Sequence, residues 1–329
     1  MYKLGIIGTG RIANRMVKTA LVGLDVVCSC VYNPHMDSAK RFAKEHNICE
    51  FTNDLDKLAS AVDMVYIASP HETHVGYAEY MLNHGKHVLC EKPMALNGED
   101  AARLFKLASG RGLILMEAIK TAFCPGFTKL EDVVGSGKIG RVVDIEAAFT
   151  RLTPTNVREY TTPVYNGSML EFGSYGLLPV LRFMGTEYNN VTFNSVRNKQ
   201  GVDIYTKANF EYDDGMGTVK AGLGVKTEGQ LVISGTKGYI IVPSPWWMTR
   251  RFQVRYEDPS IVENYEYEYN GSGLQYEMSA FIGCICAKNN NISSTYLREG
   301  VNVKESLAMA SVMEDFLKWN KKQLENWGM

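Results

Sequence analysis

Three small residues near the start of the chain have the spacing of a phosphate-binding turn. Gly8, Gly10 and Ala13 follow a short apolar run, Leu4 to Ile7, and precede a segment that is apolar at helical spacing. Gly8 permits a tight turn, Gly10 has no Cβ to block a pyrophosphate, and Ala13 lets helix and strand pack closely. The helix N-terminus would offer free N–H groups to the phosphates. The pattern predicts a dinucleotide site. Its members are Gly8, Thr9, Gly10, Arg11 and Ile12.

A second candidate group lies in the other half of the chain. Glu171 and Tyr175 are four residues apart in a predicted helix, so we expect both side chains on one face. All six histidines lie at or before His87, so proton transfer in the second half must use Tyr, Lys, Asp, Glu or Cys. A hydrogen-bonded pair on a purely structural helix is the alternative. The glycines of this helix are expected where backbone approaches a ligand.

The elements that must position these residues form two patterns. Six short apolar strands alternate with helices over residues 1–120, which predicts a parallel, doubly wound Rossmann sheet. From residue 121 the strands lengthen and alternate in polarity, and Asp214-Gly215 marks a hairpin. We therefore expect an α/β protein. Its two parts are a dinucleotide-binding domain over 1–120 and an α+β domain with a mostly antiparallel open sheet over 121–329.

The ligand edge of a doubly wound sheet lies at the carboxyl ends of its strands. Beyond the glycine turn, the residues at these ends are Asn33, Ser69, Pro70, His71, Glu91, Lys92 and Glu117. An acidic residue in the place of Asn33 would select NAD, and a basic neighbour would accept the 2′-phosphate of NADP. Asn33 is neutral and can hydrogen-bond either ribose, so NAD and NADP both remain open.

Composition narrows the class of partner. The 329 residues are 45% hydrophobic and have a formal net charge of -1, with no basic run, which argues against nucleic acid and membrane surfaces. The first strand begins at residue 3 or 4 and no apolar run would span a bilayer, so we expect a cytoplasmic protein. The seven cysteines are expected to be reduced, and no metal site is predicted.

Several motifs together identify a family resemblance. A glycine fingerprint at the N-terminus, Pro70-x-x-x-His74, and Glu91-Lys92-Pro93 resemble the Gfo/Idh/MocA oxidoreductases. Further motifs look closest to the dihydrodiol and sugar dehydrogenase branch. These are Met116-Glu117-Ala118-Ile119, Cys124-Pro125, Gly235-Thr236-Lys237-Gly238 and Val242-Pro243. The resemblance covers nearly the whole chain and implies NAD or NADP as the cofactor.

The resemblance also implies roles for single residues. Lys92 would stabilise alkoxide character at the reacting oxygen, and the Lys92-Pro93 bond is expected to be cis. Tyr175 would relay the proton, and Glu171, where the family has Asp, would position the substrate or Lys92. The family resemblance places the remaining predicted contacts near the cofactor: Ser69, Pro70, His71, His74 and Glu91.

The sequence departs from the family pattern around the substrate. Ala122 stands where relatives often have Arg, so no named substrate is carried over. Trp246 and Trp247 could stack on a sugar ring, and apolar packing at the end of a strand is the equal alternative.

These observations predict an NAD(P)-dependent oxidoreductase that transfers a hydride between nicotinamide and a carbinol carbon of a sugar, polyol or cyclic diol. One alternative is glycoside cleavage or epimerisation with tightly bound NAD. Another is a non-catalytic nucleotide-sensing regulator on the same scaffold. We expect a homodimer that pairs through the open sheet of the second domain.

Overall fold

The computed structural model describes residues 1–290 and 303–326, which form two compact units. The first unit comprises residues 1–123, 270–290 and 303–307, and the second comprises 124–269 and 308–326. The first boundary falls after residue 123, where the sequence predicts a division after residue 120, and the described residues from 270 to 307 belong to the first unit.

Strands and helices alternate through the first 123 residues, as predicted. In chain order they are β1 (Tyr2–Ile7), α1 (Arg11–Thr19), β2 (Val26–Tyr32), α2 (Met36–His46), β3 (Glu50–Thr52), α3 (Leu55–Ala61), β4 (Met64–Ile67), α4 (His74–Asn83), β5 (His87–Glu91), α5 (Gly98–Gly110) and β6 (Leu115–Ala118). The six strands form a sheet of order β3-β2-β1-β4-β5-β6, and every pair is parallel. The order reverses beside β1, which creates the crevice where doubly wound sheets bind ligands.

The described residues from 270 to 307 supply part of the core of the first unit. Helix α8 (Leu274–Asn289) places Leu274, Met278 and Phe281 in the cluster that contains Leu4 and Ile6 of β1. Each large apolar side chain of this kind that becomes buried stabilises the folded protein by about 1.5–3 kcal/mol relative to leaving it exposed. The helix is therefore an integral layer of the first unit.

The second unit is built on an eight-stranded sheet. Its elements are α6 (Pro125–Gly135), β7 (Val142–Thr150), α7 (Ser168–Met184), β8 (Asn190–Arg197), β9 (Asp203–Tyr212), β10 (Gly215–Gly222), β11 (Leu231–Gly235), β12 (Tyr239–Val242), β13 (Arg251–Arg255) and β14 (Val262–Glu266), with residues 308–326 of α9 (Val303–Asn326). The strand order is β14-β13-β12-β11-β7-β10-β9-β8, and only the β7–β10 pair is parallel. The predicted fold class is confirmed in both parts.

Strand β8 is not predicted from the sequence. Asn190, Thr192 and Asn194 alternate with partly or fully buried residues along it, and it pairs only with β9 at the sheet edge. Polar side chains at an edge discourage pairing with another chain, and they also weaken the apolar signal of a strand.

No helix in the described ranges 1–290 and 303–326 has the length and apolar character needed to cross a membrane. The cytoplasmic location stays a prediction.

Candidate functional site

The turn after β1 requires glycine at its first position. Gly8 has φ +103°, and a Cβ there would lie 2.5 Å from the carbonyl oxygen of Ala68. The Gly8 N–H donates to the carbonyl of Tyr32 at 3.0 Å, which ties the turn to the end of β2. Only glycine combines this conformation with this close approach.

The second glycine of the turn faces open space. A Cβ on Gly10 would meet no atom within 4 Å, and Gly10 caps α1 without any side-chain hydrogen bond. The first turn of α1 carries no acidic residue. A helix N-terminus without a side-chain cap, beside an open surface that lacks a Cβ, suits a pyrophosphate. The Gly8–Ile12 turn therefore fits the phosphates of a pyridine dinucleotide.

Asn33 is tied into the same turn. Its Nδ2 donates to Thr9 Oγ1 at 2.9 Å, and its Oδ1 accepts from the backbone N–H of His35 at 2.9 Å. A neutral amide is thus fixed at the end of β2, where a carboxylate would repel a 2′-phosphate.

A turn fixed by three side chains carries Lys92. Glu91 accepts from the Lys92 N–H at 3.3 Å, His74 contacts the Pro93 carbonyl at 2.9 Å, and Glu117 accepts from the Met94 N–H at 2.9 Å. The Lys92-Pro93 bond is cis, as the resemblance implied, and the Lys92 side chain is half-buried. We call residues 91–94 the Lys92 turn.

Glu91 and Glu117 are both 8% exposed. The second oxygen of Glu91 accepts from the Tyr66 hydroxyl at 2.5 Å, so its carboxylate orients the turn. Burial raises the pKa of Glu117, and the nearby Lys92 ammonium opposes that shift. Glu117 was predicted at the ligand edge but not as a support of Lys92.

His74 joins two of the predicted cofactor loops. It is fully buried, and its ring nitrogens lie 2.9 Å from the carbonyl oxygens of Ser69 and Pro93. Burial, followed by the neighbouring His71, lowers the pKa of His74 to about 4. The ring is therefore neutral at neutral pH and donates to one of the two carbonyls. Pro70 is exposed and His71 is half-buried, in the loop that His74 anchors.

Helix α7 presents Glu171 and Tyr175 from the second unit, and both side chains are half-buried. Its N-terminus is fixed by Asp203, a fully buried residue of β9 that the sequence analysis did not single out. Asp203 Oδ2 accepts from the Ser168 hydroxyl at 2.7 Å and the Met169 N–H at 3.0 Å. The bond from Met169 satisfies one of the N–H groups in the first turn that have no partner within the helix.

The glycines of α7 serve packing. A Cβ on Gly176 would lie 2.5 Å from Val219 of β10, and one on Gly173 would lie 2.7 Å from Met169. The contact with Val219 explains Gly176, because α7 lies directly on the sheet there, and the expectation that the glycines mark a ligand approach stays a prediction.

An aromatic cluster surrounds the predicted proton relay. Phe149 of β7 contacts the rings of Phe172, Tyr175 and Trp247 with centroid distances of 4.6, 4.5 and 3.9 Å. Phe172, Tyr175 and Trp247 are half-buried. Trp246, in contrast, is fully buried and donates from Nε1 to the Ala148 carbonyl at 2.9 Å. Trp246 is thus a core residue, and only Trp247 can offer a partly exposed face.

A family model described as an oxidoreductase family with an NAD-binding Rossmann fold matches residues 2–119, and the GFO/IDH/MocA C-terminal domain matches residues 127–241. The chain belongs to the Gfo/Idh/MocA family of oxidoreductases. As a member, it is an NAD(P)-dependent oxidoreductase.

Among its relatives, the scyllo-inositol 2-dehydrogenase (NADP(+)) IolU of Bacillus subtilis (strain 168) is 30% identical, over 96% of each chain. A trans-1,2-dihydrobenzene-1,2-diol dehydrogenase of Xenopus laevis is 29% identical, over 86% of this chain and 89% of its own. The structure of KijD10, a 3-ketoreductase from Actinomadura kijaniata in complex with NADP and TDP-benzene, has a TM-score of 0.79. It shares 22% identity and covers 95% of this chain and 96% of its own, which shows the same fold.

Proposed function

We propose that this oxidoreductase acts on a cyclic polyol, sugar or cyclic diol. The observation that carries the proposal is the Lys92 turn, which fixes the backbone of the half-buried Lys92 at the carboxyl end of β5. When bound, the nicotinamide supplies or accepts the hydride. The Lys92 ammonium donates to the substrate oxygen and stabilises its alkoxide character, and Tyr175 relays the proton. Glu171 is proposed to orient the substrate.

A ring-shaped substrate is supported by two independent observations. The half-buried faces of Phe172, Tyr175 and Trp247 provide an apolar surface of the kind that stacks on the flat face of a ring. The two relatives described above are named for the oxidation of an inositol and a dihydrobenzenediol, which are both cyclic. We propose the same class here without naming one compound.

We propose that the enzyme accepts NADP as well as NAD. No acidic side chain stands at the end of β2, where Asn33 is held by Thr9 and His35. The inositol dehydrogenase relative is itself named for NADP. The ratio of kcat/KM for the two cofactors measures this preference directly.

The experiment is a panel of inositols, pyranoses, cyclic diols and open-chain polyols, assayed with both cofactors through the absorbance of reduced nicotinamide. Turnover of a cyclic compound, with none for the open-chain polyols, supports the proposal. Tightly retained NAD without net turnover would favour glycoside cleavage or epimerisation. Dinucleotide binding without any turnover would favour a nucleotide-sensing regulator.

We also propose that the chain forms a homodimer through the face of the second sheet opposite α7. Met216 of β10 lies on that face and is 59% exposed. Lys220, on the same face, is paired with Glu146 at 3.2 Å and Glu228 at 2.8 Å, so its charge is already balanced. Sedimentation velocity of the wild type and of Met216→Glu tests the proposal. A wild type that sediments as a monomer would refute it.

A further inference from the structure

A four-residue sequence occurs twice in the chain, as Tyr165-Asn166-Gly167-Ser168 and as Tyr269-Asn270-Gly271-Ser272. Each copy contains an Asn-Gly pair, in which the backbone nitrogen of glycine can attack the side-chain amide of asparagine because no Cβ stands in the way. Since the two copies have the same sequence, a difference between their reactivities must come from their surroundings in the fold.

The surroundings of the first copy oppose this reaction. Asn166 is 3% exposed, and its Nδ2 donates to the Thr162 carbonyl at 3.2 Å. The next residue, Gly167, lies so close to the buried Asp203 that a Cβ on it would be 1.8 Å from Asp203 Oδ1. Ring closure requires the Asn166 side chain to leave its partner and turn towards the Gly167 nitrogen, and a packed interior opposes that movement. We therefore expect Asn166 to be protected.

A further Asn-Gly pair, Asn97-Gly98, is protected by hydrogen bonds at both ends of the asparagine side chain. Asn97 Oδ1 accepts from the Asp100 N–H at 2.7 Å, and Asn97 Nδ2 donates to the Asp100 carboxylate at 2.7 Å. These bonds cap α5, so the Asn97 side chain must give up both of them before it can react.

Asn270, in the second copy, is exposed to solvent. Within residues 1–290 and 303–326 its hydrogen bonds are made by its backbone: its N–H donates to the Tyr276 hydroxyl at 2.9 Å, and its carbonyl oxygen accepts from Gln275 Nε2. Gln275 also lies beside the next residue, since a Cβ on Gly271 would be 3.5 Å from Gln275 Nε2. The peptide group between Asn270 and Gly271 is thus held against the first turn of α8, while Asn270 stays open to solvent.

We propose that Asn270 is a site of spontaneous deamidation that Gln275 promotes. The Gly271 nitrogen loses its proton to water and attacks Cγ of Asn270. The new N–Cγ bond forms, the Cγ–Nδ2 bond breaks, and ammonia leaves with a proton from water. Water then opens the resulting succinimide at either carbonyl and gives aspartate or iso-aspartate. The charge on the deprotonated peptide group is shared with the Asn270 carbonyl oxygen, and the hydrogen bond from Gln275 to that oxygen stabilises it.

The modification falls where the chain enters α8. Iso-aspartate adds a methylene group to the main chain directly before Ser272. The Ser272 carbonyl accepts from Lys120 Nζ at 2.7 Å, and its hydroxyl lies 2.8 Å from Thr19 Oγ1. The change therefore acts on the contacts that hold the start of α8 in the first unit, and it is independent of the proposed dehydrogenase activity.

The test incubates the full-length protein in mildly alkaline buffer made with water labelled with heavy oxygen. Peptide mass spectrometry then follows uptake of the label at Asn270, Asn166 and Asn97. In the folded wild type, Asn270 should react about tenfold or more faster than Asn166, whose reaction requires local unfolding. In urea the two copies should react at similar rates, because their sequence is the same.

Two substitutions test the role of Gln275. Gln275→Glu keeps the size of the side chain but its carboxylate cannot donate, and Gln275→Met removes the amide altogether. Each should slow the reaction of Asn270 about threefold to tenfold and leave Asn166 unchanged. Similar rates at Asn270 and Asn166 in the folded protein would overturn the proposal, and so would a difference between them that persists in urea. An Asn270 rate that is unchanged or raised in either Gln275 variant would overturn the promoting role of Gln275.

Discussion

Substitution of His74 by Gln should change how the stability of the protein depends on pH. The ring is fully buried between the Ser69 and Pro93 carbonyls, and burial lowers the pKa of His74 from 6.5 to about 4. Between these values the unfolded chain binds a proton that the folded chain does not. The contribution of the neutral His74 ring to the unfolding free energy is therefore complete above about pH 6.5 and is lost as the pH falls towards about 4. The difference between the His74 pKa values of the unfolded and folded protein corresponds to roughly 3 kcal/mol of unfolding free energy.

Urea unfolding at about pH 7 and about pH 4 measures this loss in the wild type, His74→Gln and the control His35→Gln, which alters an exposed histidine. The wild type and the control should lose roughly 3 kcal/mol more than His74→Gln on acidification. Burial also lowers the pKa of His87 to about 4, but His87 is present in all three proteins and cancels. If all three lose the same free energy, His74 is not held neutral by its site and the reasoning is refuted.

Substitutions at Gly8, Asp203 and Gly176 test the supports of the site by chemical unfolding. Gly8→Ala should cost about 2–4 kcal/mol, because its Cβ meets the Ala68 carbonyl at a φ of +103°. A dinucleotide affinity that survives this change unaltered would contradict the role of the turn. Asp203→Ala should cost about 3–5 kcal/mol because three buried donors lose their acceptor, and Asp203→Asn should cost less. Equal losses of unfolding free energy in the two Asp203 variants would show that the volume of the side chain, rather than its hydrogen bonding, matters. Gly176→Ala should destabilise by about 1–3 kcal/mol, whereas Gly76→Ala, with open space at its Cβ, should stabilise by about 0.5–1 kcal/mol. A change in unfolding free energy of the same sign for Gly176→Ala and Gly76→Ala would refute the packing explanation.

Local patterns predicted most of the fold, because strands, turns and capping residues act over a few positions. The glycine turn, the six parallel strands and the hairpin at Asp214-Gly215 are all signals of this kind. The residues of α8 have helical periodicity, but that periodicity does not say which sheet the apolar face covers. Its place in the first unit depends on contacts with residues about 270 positions earlier, such as those of Leu274 in the β1 cluster.

The residues that support the site were harder to predict than the residues that define it. Lys92 and Glu91 stand in a motif, whereas Asp203 and Glu117 act through backbone groups distant in sequence. Glu277, a residue of α8 that is 1% exposed, could have been predicted from the sequence, since it lies at helical spacing from Leu274 and Phe281 on an apolar face. A charged residue at such a position indicates a buried acid.

The central claim is that Lys92 acts on the reacting oxygen, and the most direct measurement compares the wild type with Lys92→Met in a single turnover. The assay uses the best cyclic substrate from the panel and follows reduced nicotinamide by stopped flow, with dinucleotide affinity measured by calorimetry. We predict that affinity changes less than about threefold while the hydride-transfer rate falls about a hundredfold or more. A Lys92→Met protein that transfers hydride within about threefold of the wild-type rate would contradict the account.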